Sequence, residues 1–101
     1  MDMNSLMKNA KKMQEQMQKM QEELANEEVE ASAGGGMVKA VANGKQEILS
    51  IKIDPEIVSA GDVSMLEDLV LAATNDALRK AHDLIQEKMS GITGGMKIPG
   101  L

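Results

Sequence analysis

Cysteine, phenylalanine, tyrosine and tryptophan are all missing from this 101-residue chain. Without cysteine there are no disulfides and no thiolate-metal sites, which suits a reducing cytosol. Without aromatic rings there is nothing on which to stack splayed bases, as single-strand binders of the OB or RRM type do. If nucleic acid is a partner, a duplex is favoured, held through its backbone and groove shape. An excess of positive charge is also lacking: 11 Lys and Arg stand against 16 Asp and Glu, a net charge of −5. Any anion-binding role must therefore rest on local charge. The longest apolar runs fall far short of a membrane span. The opening "MDMNSLMKNA" carries an early Asp and no apolar stretch, so no signal peptide is expected.

What is present is a chain with 43% apolar residues, enough to fold as one domain over residues 1–101. Six of the ten methionines lie in the first twenty residues. Met3, Leu6, Ala10, Met13, Met17, Met20 and Leu24 follow steps of three and four, the a/d seam of a coiled coil. Gln, Glu and Lys between them are strong helix formers, so the pattern predicts a helix from about Met3 to Glu27, within a segment 1–28. At 1.5 Å per residue such a rod is roughly 38 Å long, against a radius of gyration of about 13 Å for a compact body of this size. It should outreach its own domain, and the remedy for its exposed stripe is a second chain.

After Glu28 the period changes to two, predicting a three-stranded antiparallel meander over 29–54. Val29, Ala31 and Ala33 alternate with Glu30 and Ser32. Val38, Ala40 and Ala42 share a face, as do Leu49, Ile51 and Ile53. Asn43-Gly44 predicts a two-residue turn, both residues tolerating positive φ. Gly34-Gly35-Gly36 lacks the strand–GxxxxGK[ST]–helix setting of a phosphate loop and reads as a tight bend. Asp54-Pro55 predicts a cap and first helical residue. Ser64, with Glu67 three residues on, reads as the capping box of a second long helix over 64–90. Its stripe runs through Leu66, Leu69, Val70, Ala73, Ala77, Ala81, Leu84 and Ile85, widened by Leu71 and Leu78. A Gly- and Pro-containing tail, 91–101, follows, with apolar beads at Met96, Ile98 and Leu101. The fold class is α+β, in the order α-β-β-β-α.

The stretches "EEVEASAGGGMVKAVANGK" (27–45), "IKIDPE" (51–56), "MLEDLVLAATNDALRKA" (65–81) and "GGMKIPGL" (94–101), with the Met/Gln-rich first helix, resemble the YbaB/EbfC family of bacterial nucleoid-associated proteins. The likeness runs through nearly the whole chain in the same order. It implies a tweezer-like homodimer with long helices projecting from a central body. It further implies binding of duplex DNA with little or relaxed sequence preference, a cytoplasmic, nucleoid-associated location, and no catalysis.

Candidate residues follow from charge and spacing. On the heptad wheel Lys8, Lys11, Lys12 and Lys19 fall opposite the methionine seam, as point charges for phosphates. Lys8 and Lys12 lead, having no acidic residue four positions away, whereas Lys19 has Glu15 and Glu23. Arg79 and Lys80 rank second, since Asp76 and Asp83 are placed to pair with them locally. Met13, Met17, Met20, Leu24, Leu49, Ile51 and Ile53 are the candidates for dimer or helix packing. Thioethers bind Cu(I), yet the a/d positions already explain the methionine spacing, and no metal is expected. His82 has no nucleophile beside it and reads as the edge of the second helix's buried face. No carboxylate pair or nucleophile–base set appears, so no enzyme, cofactor, small-molecule substrate or membrane partner is expected. The competing class is a coiled-coil, Met-rich protein-interaction module without DNA binding, gripping helical or unfolded segments.

Overall fold

The computed structural model describes residues 2–92; the tail expected at 91–101, with Met96, Ile98 and Leu101, lies outside them from residue 93 onward. The elements are α1 (Met3–Asn26), β1 (Glu28–Ala33), β2 (Val38–Asn43), β3 (Ile48–Ile53), α2 (Pro55–Ser59) and α3 (Val63–Ile92). The three strands form one antiparallel sheet in the order β1-β2-β3. This is the α-β-β-β-α arrangement expected from the change of period, with the short helical turn expected at Asp54-Pro55.

The core is a helix laid on a sheet through small side chains. Val38, Ala40 and Ala42 of β2 and Ala31 of β1 meet Ala73, Ala77 and Ala81 of α3, all buried. Alanine on both sides lets backbone approach backbone, so each contact removes little area but tolerates no added volume. α3 packs across β1 and β2 and only skirts β3. As a result Leu49, Ile51 and Ile53 remain exposed, as does Leu71, which was expected to widen the buried stripe. Leu71 instead joins Ile53, Leu66, Val70 and Thr74 around an open, mostly apolar groove of about 430 Å³.

The alternation expected through Leu49, Ile51 and Ile53 is interrupted. Ile53 and Ile51 stand opposite Val38 and Ala40, but Ser50 pairs with Val41 and Ile48 with Ala42, leaving Leu49 as the extra residue of a bulge. The loop before it also departs from expectation. Asn43 ends β2, and Gly44, Lys45, Gln46 and Glu47 connect it to β3, with positive φ on Gln46 (φ 60) rather than on Asn43 or Gly44. Asn43 is buried and holds the loop: its Oδ1 accepts from the Lys45 N–H (3.0 Å) and the Glu47 N–H (3.1 Å).

Caps account for the helix starts. Asp54 Oδ1 accepts from the Glu56 N–H at 2.9 Å and Pro55 opens α2, as expected. The start of α3 is capped by Asp62, whose Oδ1 accepts from the Met65 N–H at 3.0 Å, and not by Ser64. Both residues are good caps, and Asp62 precedes the helix while Ser64 already lies inside it. At the other hairpin Gly34, Gly35 and Gly36 all have positive φ, giving the tight reversal between β1 and β2.

The chain is elongated, 69 × 27 × 16 Å, with a radius of gyration of 19.5 Å. That exceeds the ~13 Å of a compact chain of this length because α1 projects from the body.

Candidate nucleic-acid interface

α1 is an arm fixed at one end. Its N-terminus is capped by Asp2, whose Oδ1 accepts from the Ser5 N–H at 2.8 Å; this bond holds the Asp2 carboxyl below its ordinary range. From Asp2 through Lys19 every side chain is exposed, and only Met20 and Leu24 are buried. The joint lies at Leu24. The Gly44 N–H at the tip of the β2–β3 hairpin donates to the Leu24 carbonyl (2.8 Å) and the Glu27 carbonyl (3.1 Å), satisfying carbonyls that the end of α1 leaves open. A Cβ on Gly44 would stand 2.5 Å from the Leu24 carbonyl oxygen and 2.8 Å from the Leu24 side chain. Gly44 is thus required for close approach rather than for its backbone angle. The joint was legible only as a turn signal; its partner, Leu24, is twenty residues away.

A salt bridge ties the same joint to α3: Lys88 Nζ lies 3.0 Å from Glu27 Oε1. The hydrogen bond to Glu27, reinforced by its charge and those of Glu23 and Glu87, raises Lys88 above the ordinary lysine value. Gln16, Lys19, Met20, Glu23 and Lys88 line the furrow where α1 passes α3.

Lys8, Lys11, Lys12 and Lys19 all lie on the projecting part of the arm and are exposed. Among the described residues the ion pairs are Arg79–Asp76 and Lys88–Glu27, so none of these four lysines is paired. Between Met3 and Met20 they face only Glu15, a local charge of +3 that leaves −8 on the rest of the chain. The arm is the cationic region of an acidic protein. Its methionine seam is uncovered within the chain, Met13 being 66% and Met17 42% exposed, against 7% for Met20 and 4% for Leu24.

Arg79 and Lys80 lie elsewhere. Arg79 Nη1 pairs with Asp76 Oδ1 at 3.2 Å, and Lys80 Nζ donates to the backbone carbonyl of Glu30 at 2.9 Å. They belong to the body, and the structure does not bring them together with the arm lysines. The Lys80 contact covers a carbonyl on β1, one edge of the sheet, a role that sequence spacing could not reveal because Glu30 is fifty positions away. His82 is exposed beside the buried Ala81. Among the described residues no group of three His, Asp or Glu is arranged to hold a metal ion, and no helix is long and apolar enough to cross a membrane.

The chain is 58% identical over 100 residues to a nucleoid-associated protein of Thermoanaerobacter pseudethanolicus, covering 99% of this chain and 90% of that one. It is 54% identical over 101 residues to a nucleoid-associated protein of Clostridium novyi, covering 100% and 89%. Its fold is similar to the crystal structure of an uncharacterized protein of Helicobacter pylori, with a TM-score of 0.82 over 91% of this chain and 97% of that one, at 21% identity. The model of the YbaB/EbfC DNA-binding family matches residues 1–96, and the chain belongs to that family.

Proposed function

We propose that this protein is a nucleoid-associated homodimer that binds duplex DNA with little sequence preference, through Lys8, Lys11, Lys12 and Lys19 on its projecting arms. The observation that carries this reading is the arm itself: a charge of +3 over Met3–Met20, unpaired and exposed, on a chain whose net charge is −5. Lysine ammoniums meet phosphates as point charges and carry no base code, which is the basis for relaxed preference. The family and the nucleoid-associated relatives support DNA as the partner and the nucleoid as the location. The function is binding alone, without catalysis, cofactor, metal or small-molecule substrate.

Two uncovered surfaces support the homodimer. One is the methionine seam of α1. The other is the shoulder formed by Ile48, Ile51, Ile53 and Leu71, beside the groove at Leu66 and Val70. The sheet edges differ in the same sense: β1 is guarded by Lys80, whereas the shoulder lies at the opposite edge, β3. Apolar patches of this kind mark interaction surfaces. Leu49, Ile51 and Ile53, with Met13 and Met17, are the residues a second copy would cover.

The test combines mass and binding. Sedimentation equilibrium should give the mass of two chains, and labelled duplexes of unrelated sequence should bind within a few-fold of one another and better than a single strand of equal length. A one-chain mass overturns the homodimer, and a hundredfold preference for one duplex overturns relaxed recognition. The exposed methionines also favour a second reading, a module that grips helical or unfolded protein segments. In that case Met13→Lys and Met17→Lys abolish partner binding while Lys8→Glu and Lys12→Glu do not.

A further inference from the structure

We infer that the open face of the sheet is a second contact surface for the DNA backbone, formed by Lys39 and Lys52; this rests on the duplex-binding reading above. Because Val38, Ala40 and Ala42 turn toward α3, the alternate positions of β2 turn away from it. The register sets Lys39 directly opposite Lys52 on β3 and opposite Ser32 on β1. Two ammoniums thus stand on adjacent strands of an uncovered face, at a Cβ separation of about 5 Å. Both lysines are exposed, and neither takes part in an ion pair among the described residues.

Like charges in directly opposed positions destabilise a sheet. Protection of an edge strand accounts for Lys52 on β3 but not for Lys39 on the central strand. In the register the acidic residues diagonal to Lys39 are Glu30 and Asp54, and Asp54 is occupied in capping α2. A phosphate bound between the two ammoniums turns their mutual repulsion into a shared attraction. The approach is open: the chain reverses beside the pair at Gly34–Gly36, and at Gly35 even a Cβ would meet nothing within 4 Å. The pair also lies at the far end of the sheet from the arm joint, four residues or roughly 13 Å along β2 from Asn43. A duplex reaching both surfaces contacts phosphates that the arms alone do not.

The experiment measures the affinity of the full chain for one labelled duplex at several salt concentrations, for the unaltered protein, for Lys39→Gln/Lys52→Gln and for Lys8→Gln/Lys12→Gln. The sheet variant is expected to bind more weakly, with a plot of log affinity against log salt shallower by about 0.9 per protomer, for the one phosphate shared by the pair. Its melting temperature should not fall, since the variant relieves a like-charge pair. If it does fall, the single variant Lys39→Gln replaces it, with a smaller change expected in the same direction. An unchanged slope, in a protein that binds duplex and is weakened by the arm variant, overturns this inference alone. Absence of duplex binding by the unaltered protein overturns the proposed function, and this inference with it.

Discussion

The two long helices carry apolar stripes of similar clarity, yet one is buried and the other is bare. α3 presents alanines, and Ala73, Ala77 and Ala81 are sealed against the sheet. α1 presents methionines and leucines, and only its last two turns, at Met20 and Leu24, are covered. Large, flexible side chains at a/d positions thus mark a surface without a partner in the same chain, while small ones mark the helix that lies closest to the sheet. Periodicity identifies a helix and its apolar face; side-chain size indicates how closely that face is approached.

The sharpest way to break this contrast is to enlarge one residue on each helix. Ala77→Leu should destabilise the body by about 1–3 kcal/mol, because the site has no space to give. Ala10→Leu, on the exposed arm, should change the denaturation midpoint hardly at all. Equal losses in chemical denaturation would erase the distinction between the helices.

The joint between the regions comes next. Gly44→Ala forces the hairpin away from Leu24 and should cost about 1–2 kcal/mol through the lost carbonyl contacts. Amide exchange should then accelerate at the end of α1 and leave the α3 alanines protected. Gln46→Gly acts in the opposite direction: a residue with φ 60 is strained unless it is glycine, so the variant should gain about 0.5–1 kcal/mol in thermal denaturation.

The smallest expected effect is that of pH on the clasp. Lys88 titrates higher when folded than when free, so its contribution is complete below the ordinary lysine value of 10.5 and fades as pH rises above it. The melting temperatures of the protein and of Lys88→Met should therefore differ by a constant amount up to about pH 10 and converge beyond it.

Much of this was legible in the chain. The change of period at Glu28 separated helix from sheet, and the steps of three and four placed the lysines opposite the methionines. What escaped depended on contacts between distant segments. Asn43-Gly44 read as a turn needing positive φ, but the glycine serves a carbonyl twenty residues earlier and Gln46 bears the strained angle. Leu71 read as core because helical spacing does not show that the sheet ends beneath it. Ser64 read as the cap of the second long helix, but it lies inside α3, and the Met65 N–H is taken by Asp62, just before the helix starts. Lys80 read as a partner for Asp76, but Asp76 pairs with Arg79, and the acceptor of Lys80 belongs to the backbone of β1.

The most direct test of the arm as the DNA-binding element is fluorescence anisotropy of a labelled duplex at low salt, titrated with the protein and with Lys8→Glu/Lys12→Glu. The account predicts binding by the first and its loss in the second, with helical content and mass unchanged. Undiminished binding by the variant would contradict it.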